Sequence, residues 1–272
     1  MKSTMDFIEM KQNKEKITML TAYDYPSARQ AEAAGVDVIL VGDSLGMTVL
    51  GYNSTIEVTL QDMIHHTKAV RRGAPDTYIV VDMPFGTYHV SSEEAVGNAI
   101  RLYQESGADA VKIEGAHLKD FVHILVEAGV PVVGHLGLTP QSVGITGFKM
   151  QASSREEAEE LLAALETFET LGVVMTVLEA IPSDLAVKAS GRVDIPLIGI
   201  GAGVGTDGQV LVYHDILKYG SDKPPKFVKQ YGDMDEIGVK GIKQYVQEVK
   251  EGKFPDEKTT YKKKVYEDED NK

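Results

Sequence analysis

The chain has 272 residues, 43% of them hydrophobic, with no cysteine and a formal net charge of −13. That length and apolar content favour one large core over two small ones, and the missing cysteines exclude disulfides, thiolate catalysis and cysteine-ligated zinc or iron–sulfur centres. The acidic balance argues against a nucleic-acid partner, which needs a basic face. No apolar run reaches the roughly 18 residues of a membrane span, and Met1 to Lys16 is charged, unlike a signal peptide. A cytoplasmic protein with no membrane association is therefore expected, acting on small molecules or associating with itself.

In chain order, Met5 to Gln12 is expected to form a short helix before a first strand, Ile17 to Thr21, which runs into Ala22, Tyr23 and Asp24. Pro26 suits a helix start, and the alanine-rich run Ser27 to Ala34 closes on Gly35, a residue type that ends helices. Val38 to Val41 follows, four apolar residues without polar alternation, the pattern of a strand buried on both faces of a parallel sheet. Gly42 breaks the run and leaves Asp43 and Ser44 at its C-terminal tip, where open α/β sheets and barrels alike place ligands. Gly51 to Thr59 lacks helical period and is read as a functional loop. Thr59 and Asp62 cap a helix over Leu60 to Arg72, whose His65 and His66 lie away from strand tips and are read as structural. Tyr78 to Val81 is the next strand, ending on Asp82.

Ser91 to Glu94 has the pattern of a capping box and opens a helix that runs to Gly107. Ala110 to Ile113 is a short strand that contains Lys112 and ends on Glu114, His117 to Ala128 is helical, and Pro131 to Gly134 is a strand leading to His135. Leu136 to Gln151, rich in Gly, Thr and Pro, is read as a long loop over a site. Ser153 and Ser154 open a helix to Leu171, strand Val173 to Leu178 ends on Glu179, and Pro182 to Ser190 is a short helix. Ile195 to Ile200 is a strand ending among Gly199, Gly201, Gly203 and Gly205, whose spacing fails the dinucleotide pattern and points to close packing or an anion nest. Gln209 to Tyr213 is the last strand, tipped by His214 and Asp215, and Asp233 to Lys250 forms a final helix. Eight strands, most followed by a helix, predict a single-domain (β/α)8 TIM barrel over residues 1–252 with a charged tail over 253–272. A doubly wound open sheet is the alternative, because the eighth unit is weak.

Strand tips in a barrel stand roughly 5 Å apart. Asp43, Asp82 and Glu114, at tips two, three and four, repel unless a cation sits among them, and oxygen-only donors suit Mg2+ with positions left for a substrate. Lys112, two residues before Glu114, shares its strand face and binds a substrate carboxylate as a point charge. His135 is either a proton donor to a bound anion or merely hydrogen-bonded. Glu179 ends a strand with no basic residue nearby in sequence and suits a general base or acid. Taken singly, a strand-tip acid reads first as a surface acid or cap, whereas Lys112 reads first as a ligand-binding group with a snorkelling lysine as the alternative. Recurrence in consecutive units is what favours a site.

The runs TAYDYPSA, LVGDSLGMTVLGY, HHTKAVRRGAP, VDMPFG, GADAVKIEG, PVVGHLGLTPQSV, VLEAIP, IGIGAG and DGQVLVYHD together resemble the ketopantoate (3-methyl-2-oxobutanoate) hydroxymethyltransferase family, in the family's order over about residues 5–255. The resemblance implies a (β/α)8 barrel assembled as a homodecamer. It implies transfer of a hydroxymethyl group from the co-substrate 5,10-methylenetetrahydrofolate to 3-methyl-2-oxobutanoate through a Mg2+-stabilised enolate, a step toward pantothenate and coenzyme A. Residue by residue, it implies Asp43, Asp82 and Glu114 as magnesium positions, Asp43, Ser44, Asp82 and Lys112 as oxo-acid contacts, and Glu179 as proton acceptor with His135 nearby.

Where the family usually reads Gly-Tyr-Lys-x-Gln-Gly after the HLGLTPQS loop, Phe148 replaces the tyrosine and Ala152 the second glycine. If that glycine allows a special backbone angle, Ala152 strains or re-aims the loop. Two other functions stay open at this level. One is a Mg2+-dependent carbon–carbon lyase of the phosphoenolpyruvate-mutase type, many of which carry a loop cysteine that this chain lacks. The other is a non-enzymatic barrel that binds an oxo acid.

Overall fold

The computed structural model describes residues 1–116, 118–221, 223–263 and 265. Eight parallel strands close into one barrel in chain order: β1 (Ile17–Thr21), β2 (Val38–Val41), β3 (Tyr78–Asp82), β4 (Ala110–Glu114), β5 (Val132–Gly137), β6 (Met175–Glu179), β7 (Leu197–Ile200) and β8 (Gly208–Leu211). Closure runs through β8 and β1, where Ile17 pairs with Gly208 and Leu20 with Leu211, and it excludes the open sheet.

The two-residue period of a strand sorts the side chains into two cores. Val38, Leu40, Tyr78, Val80, Ala110, Val133, Met175 and Val177 fill the barrel interior, while Val111, Ile113 and their counterparts pack outward against the helices. One further step along the inward series turns polar. It places Asp82 after Val80, Lys112 and Glu114 after Ala110, His135 after Val133 and Glu179 after Val177, all at the C-terminal mouth. The opposite mouth is sealed by helix Thr4–Gln12, capped by Ser3, whose Phe7 and Met10 join the interior core. The Phe7 ring meets Tyr78 edge-on with centroids 5.2 Å apart.

Several boundaries differ from the sequence expectation, and two of the differences bear on the site. β5 continues past Gly134, so His135 is a strand residue rather than a loop residue. β8 ends at Leu211, and Tyr213 opens a helical turn, Tyr213–Ile216, because its backbone N–H donates to Thr21 Oγ1 at 3.0 Å instead of continuing the ladder. His214 and Asp215 therefore stand one turn beyond the strand. The segment expected to be loop from Leu136 contains a 3-10 turn, Pro140–Ser142, and a helical turn, Val143–Thr146. Helix Ser92–Ser106 begins with Ser91 Oγ accepting from the Glu94 N–H at 3.2 Å, the first half of the expected box, and ends at Gly107 with φ 77°. The helix after β4 spans Lys119–Glu127; His117, expected to start it, lies outside the described residues, as do 264 and 266–272 of the charged tail.

The glycine run after β7 is a close-packing device. A Cβ on Gly203 would lie 2.7 Å from Ser183 Cβ, and one on Gly205 would lie 2.4 Å from Val187 Cγ2. The barrel seam has the same tolerance. A Cβ on Gly208 would stand 2.4 Å from the Ile17 carbonyl and 2.6 Å from Ile198 Cδ1. Gly208→Ala is expected to push β8 off β1 and destabilise the fold by about 1–3 kcal/mol, read as a lower urea midpoint at unchanged m-value.

Candidate active site

Strand register assembles the site. Asp82 on β3 pairs with Lys112 on β4, Glu114 with His135 on β5, and Gly137 with Glu179 on β6. Asp43, directly after β2 and Gly42, reaches the same group, its N–H donating to Asp82 Oδ2 at 3.0 Å. Lys112 Nζ forms an ion pair with Asp82 Oδ1 at 2.8 Å. His135 links the next two strands, with Nδ1 3.6 Å from Glu114 Oε1 and Nε2 3.3 Å from Glu179 Oε2, an ion-pair approach without a well-directed hydrogen bond. Asp43, Asp82, Lys112, Glu114 and His135 are between 3% and 5% exposed, so three carboxylates and two basic groups share a nearly dry pocket, with Glu179 at its edge.

That arrangement perturbs every buried member. Burial pushes the Asp43 carboxyl well above the usual range, and the neighbouring Asp82 and Glu114 add to it. Burial also raises Asp82, an effect that the Lys112 ammonium moderates. Burial acts to raise Glu114 as well, but His135, Lys112 and the Gln141 N–H reverse it and hold the group below its ordinary value. For Lys112 burial works downward, and the acids around it outweigh that and keep the ammonium firmly charged. Burial and Lys112 push His135 down, but the Glu114 and Glu179 carboxylates beside its two ring nitrogens more than offset both and raise it to about 9.

Because the folded value of His135 lies above its ordinary 6.5, its stabilisation is complete below pH 6.5 and is lost as pH rises toward about 9. Titration of the His135 ring carbons by NMR is expected to show an imidazolium throughout the neutral range.

Two supports were not singled out from the sequence. Gln141, buried on the turn after β5, donates from Nε2 to Asp43 Oδ2 at 2.8 Å and to the Met83 carbonyl at 2.9 Å. Its N–H donates to Glu114 Oε2 at 3.0 Å, and its Oε1 accepts from the Tyr88 hydroxyl at 2.5 Å. The second is Tyr23, whose hydroxyl lies 2.8 Å from Ser44 Oγ and whose carbonyl is 2.6 Å from His66 Nδ1. Burial pushes the Tyr23 phenol up to about 12, so it stays protonated and can donate to Ser44, turning the serine's own hydrogen toward the cavity. The only sequence signal for Gln141 is its place in the run GHLGLTPQSV.

The donor set fits a hard divalent cation, since the oxygens are carboxylate and negative charge is in excess. Among the described residues no three side chains converge as a ready-made ligand set. Both Glu114 oxygens face protein partners, the Gln141 N–H and His135. Asp82 is engaged as well, Oδ1 by Lys112 and Oδ2 by the Asp43 N–H, so an ion at this mouth would be held through the lone pairs that Asp43 and Asp82 keep free. That suits Mg2+, a metal that binds through one or two carboxylates and keeps its other positions for water and substrate oxygens. Gln141→Ala is expected to weaken Mg2+ binding about 10- to 100-fold, measured by calorimetric titration.

The acids open into a cavity of about 270 Å³ that also exposes Ser44, with Phe148 at its rim. The chain leaves the rim strained. Ala152 adopts φ 51°, the left-handed region where glycine is at ease, as the family comparison of that position suggested. Ala180, directly after Glu179, adopts φ 50° and accepts from the Gln151 N–H at 2.9 Å, tying the rim loop to the Glu179 strand.

A closed parallel barrel with a buried acid–base cluster at its C-terminal mouth defines a (β/α)8-barrel enzyme. Solved structures share the fold: a phosphoenolpyruvate phosphomutase from Streptomyces platensis subsp. rosaceus superimposes with TM-score 0.60 at 14% identity, covering 92% of this chain and 88% of that one. A 2,3-dimethylmalate lyase gives 0.57 at 18%, covering 92% and 98%. A phosphonopyruvate hydrolase complex with oxalate and Mg2+ gives 0.60 at 14%, covering 95% and 93%. The chain belongs to the ketopantoate hydroxymethyltransferase family, whose pattern matches residues 2–257. It is 62% identical over 270 residues to the 3-methyl-2-oxobutanoate hydroxymethyltransferase of Staphylococcus carnosus, covering 99% of this chain and all of that protein. The Staphylococcus aureus enzyme of the same name is 58% identical over 271 residues, covering 100% and 99%. No helix among the described residues is long and apolar enough to cross a membrane.

Proposed function

We propose that this chain transfers a hydroxymethyl group from 5,10-methylenetetrahydrofolate to 3-methyl-2-oxobutanoate, giving ketopantoate for pantothenate and coenzyme A synthesis. The observation that carries the reading is the inward array Asp82, Lys112, Glu114, His135 and Glu179 at the mouth of one cavity, in a chain of this family. Asp43 and Asp82 would hold Mg2+, with Glu114 behind them. When bound, the ion polarises the 2-oxo group as a Lewis acid and so acidifies C3.

The chain's own groups do the rest. Lys112, with its charge secured by the surrounding acids, and Ser44, with its hydrogen freed by Tyr23, receive the substrate carboxylate. Glu179 takes the C3 proton, and the His135 imidazolium, 3.3 Å from it, balances the carboxylate before transfer and returns a proton afterwards. The C3 carbon then bonds to the folate methylene carbon, both carbon–nitrogen bonds of that methylene break, one water supplies the product hydroxyl, and the proton taken from C3 and the second proton of that water go to the two released folate nitrogens. Tetrahydrofolate leaves. Assembly is as a homodecamer.

The reading is tested by incubating the protein with Mg2+, 3-methyl-2-oxobutanoate and 5,10-methylenetetrahydrofolate and following the new hydroxymethyl proton signal. Its growth in step with tetrahydrofolate supports the reading. Folate consumption without a new carbon–carbon bond contradicts it.

A further inference from the structure

The cavity has two unlike ends. Over β2 to β5 it is lined by the acids, Lys112 and His135, which a small oxo acid fills. Over β7 and β8 it is lined by Ile200, Leu211 and Val212, continued by Phe227 and Val228 from the chain beyond β8, and the oxo-acid chemistry leaves this end unused. Its wall is set by backbone. The Phe227 ring lies against Gly201, where an added Cβ would come within 2.8 Å of the ring, and Gly201 itself has φ 63°. Among the described residues the carboxylate that lines this end is Asp215, oriented by the Ser221 hydroxyl, which donates to its Oδ1 at 2.5 Å. Along the chain on either side of Phe227, Lys223, Lys226 and Lys229 are exposed, on a protein whose net charge is −13, and the Lys229 ammonium stands 5.0 Å from the Tyr231 ring.

We propose that this end is the reduced-folate subsite, with the pterin against Phe227, its adjacent N3–H and 2-amino donors on the Asp215 carboxylate, and the glutamyl tail on Lys223, Lys226 and Lys229. The inference rests on the proposed transferase reading and names where its second substrate sits. A flat ring with two parallel N–H donors matches an aromatic wall beside a carboxylate, and a string of glutamyl carboxylates matches exposed lysines. Glu179, on β6, stands between the two ends, so C3 of the acid and the folate methylene meet beside the group that takes the proton. Asp215 and Phe227 are then folate-binding residues, and the lysines favour polyglutamylated over monoglutamylated folate.

The test titrates tetrahydrofolate, as mono- and triglutamate, by calorimetry into wild type, Phe227→Ala, Asp215→Asn and the double variant Lys223→Glu/Lys226→Glu. On the same samples it follows C3 deuterium exchange of 3-methyl-2-oxobutanoate with Mg2+ and no folate. Phe227→Ala and Asp215→Asn are expected to weaken folate binding about tenfold or more while C3 exchange persists. The double lysine variant is expected to erase a preference for the triglutamate that wild type shows. Unchanged folate affinity in Phe227→Ala and Asp215→Asn would overturn the subsite, as would exchange lost in parallel with affinity, or equal binding of the two folates by wild type. Folate binding with neither exchange nor transfer in wild type would count against the transferase reading instead, with the affinities still judging the subsite.

Discussion

Glu179→Gln is expected to slow exchange of the C3 proton of 3-methyl-2-oxobutanoate by about 10²- to 10⁴-fold, the range for removing a positioned general base. The substitution keeps the shape but replaces the carboxylate by an amide, which donates from its nitrogen and is far too weak a base to take the C3 proton. Glu179 stands at the end of β6 within 3.3 Å of His135 Nε2, outside the acid cluster that faces Lys112, so the oxo acid should bind the variant with nearly wild-type affinity. Exchange and transfer should fall together. Proton NMR of the substrate in D₂O measures the first and product formation the second; a variant that still exchanges at the wild-type rate would remove Glu179 from the proton step. His135 is expected to set the alkaline limit of exchange, because the carboxylates beside it keep its imidazolium only up to about pH 9.

Lys112→Met is expected to cost about 3–5 kcal/mol of stability, the loss typical when one partner of a buried ion pair is removed and the other stays. Lys112 and Asp82 are each about 4% exposed, and Asp43 and Glu114 lie in the same pocket, so the variant keeps a cluster of acids with one cation fewer. The sign with pH follows from the shifts. Asp43 and Asp82 titrate above their ordinary value when folded, so the folded chain holds protons that the unfolded chain has released, and stability falls as pH rises through that interval. Removing Lys112 widens the interval. Its own stabilisation, from a folded value above 10.5, is complete across the neutral range and is missing entirely from the variant. The deficit measured by urea unfolding should therefore be larger at pH 8 than at pH 5, and added Mg2+ should reduce it. A deficit independent of pH would mean that packing of the lysine stem, not its charge, is what the pocket needs.

The barrel was legible because parallel strands covered on both faces read as uninterrupted apolar runs, as in Val38 to Val41, and each run ends abruptly on a polar group. Asp43, Asp82, Glu114 and Glu179 stood out as breaks in that pattern. The inward direction of Lys112 followed from its two-residue offset from Glu114, and the structure buries both. Gln141 was not legible: its contact with Asp43 spans 98 positions and depends on where closure of the barrel puts the turn after β5, which a loop glutamine does not advertise. Tyr23 was hidden similarly, since its hydroxyl reaches Ser44 only because β1 and β2 lie side by side. The end of β8 was misplaced because a single side chain, Thr21, takes the Tyr213 N–H and starts a turn where the apolar pattern continues. Ala152 shows the converse, a backbone angle anticipated from one residue type and found at φ 51°.

The proposed function turns on removal of the C3 proton of a 2-oxo acid in this pocket. Its most direct measurement is the rate of C3 deuterium incorporation into 3-methyl-2-oxobutanoate in D₂O with wild-type protein, Mg2+ and no folate. Loss of the C3 proton signal is expected at a rate proportional to enzyme, suppressed by chelator and by Glu179→Gln. Folded, Mg2+-loaded protein that binds the acid yet leaves C3 undeuterated would contradict it.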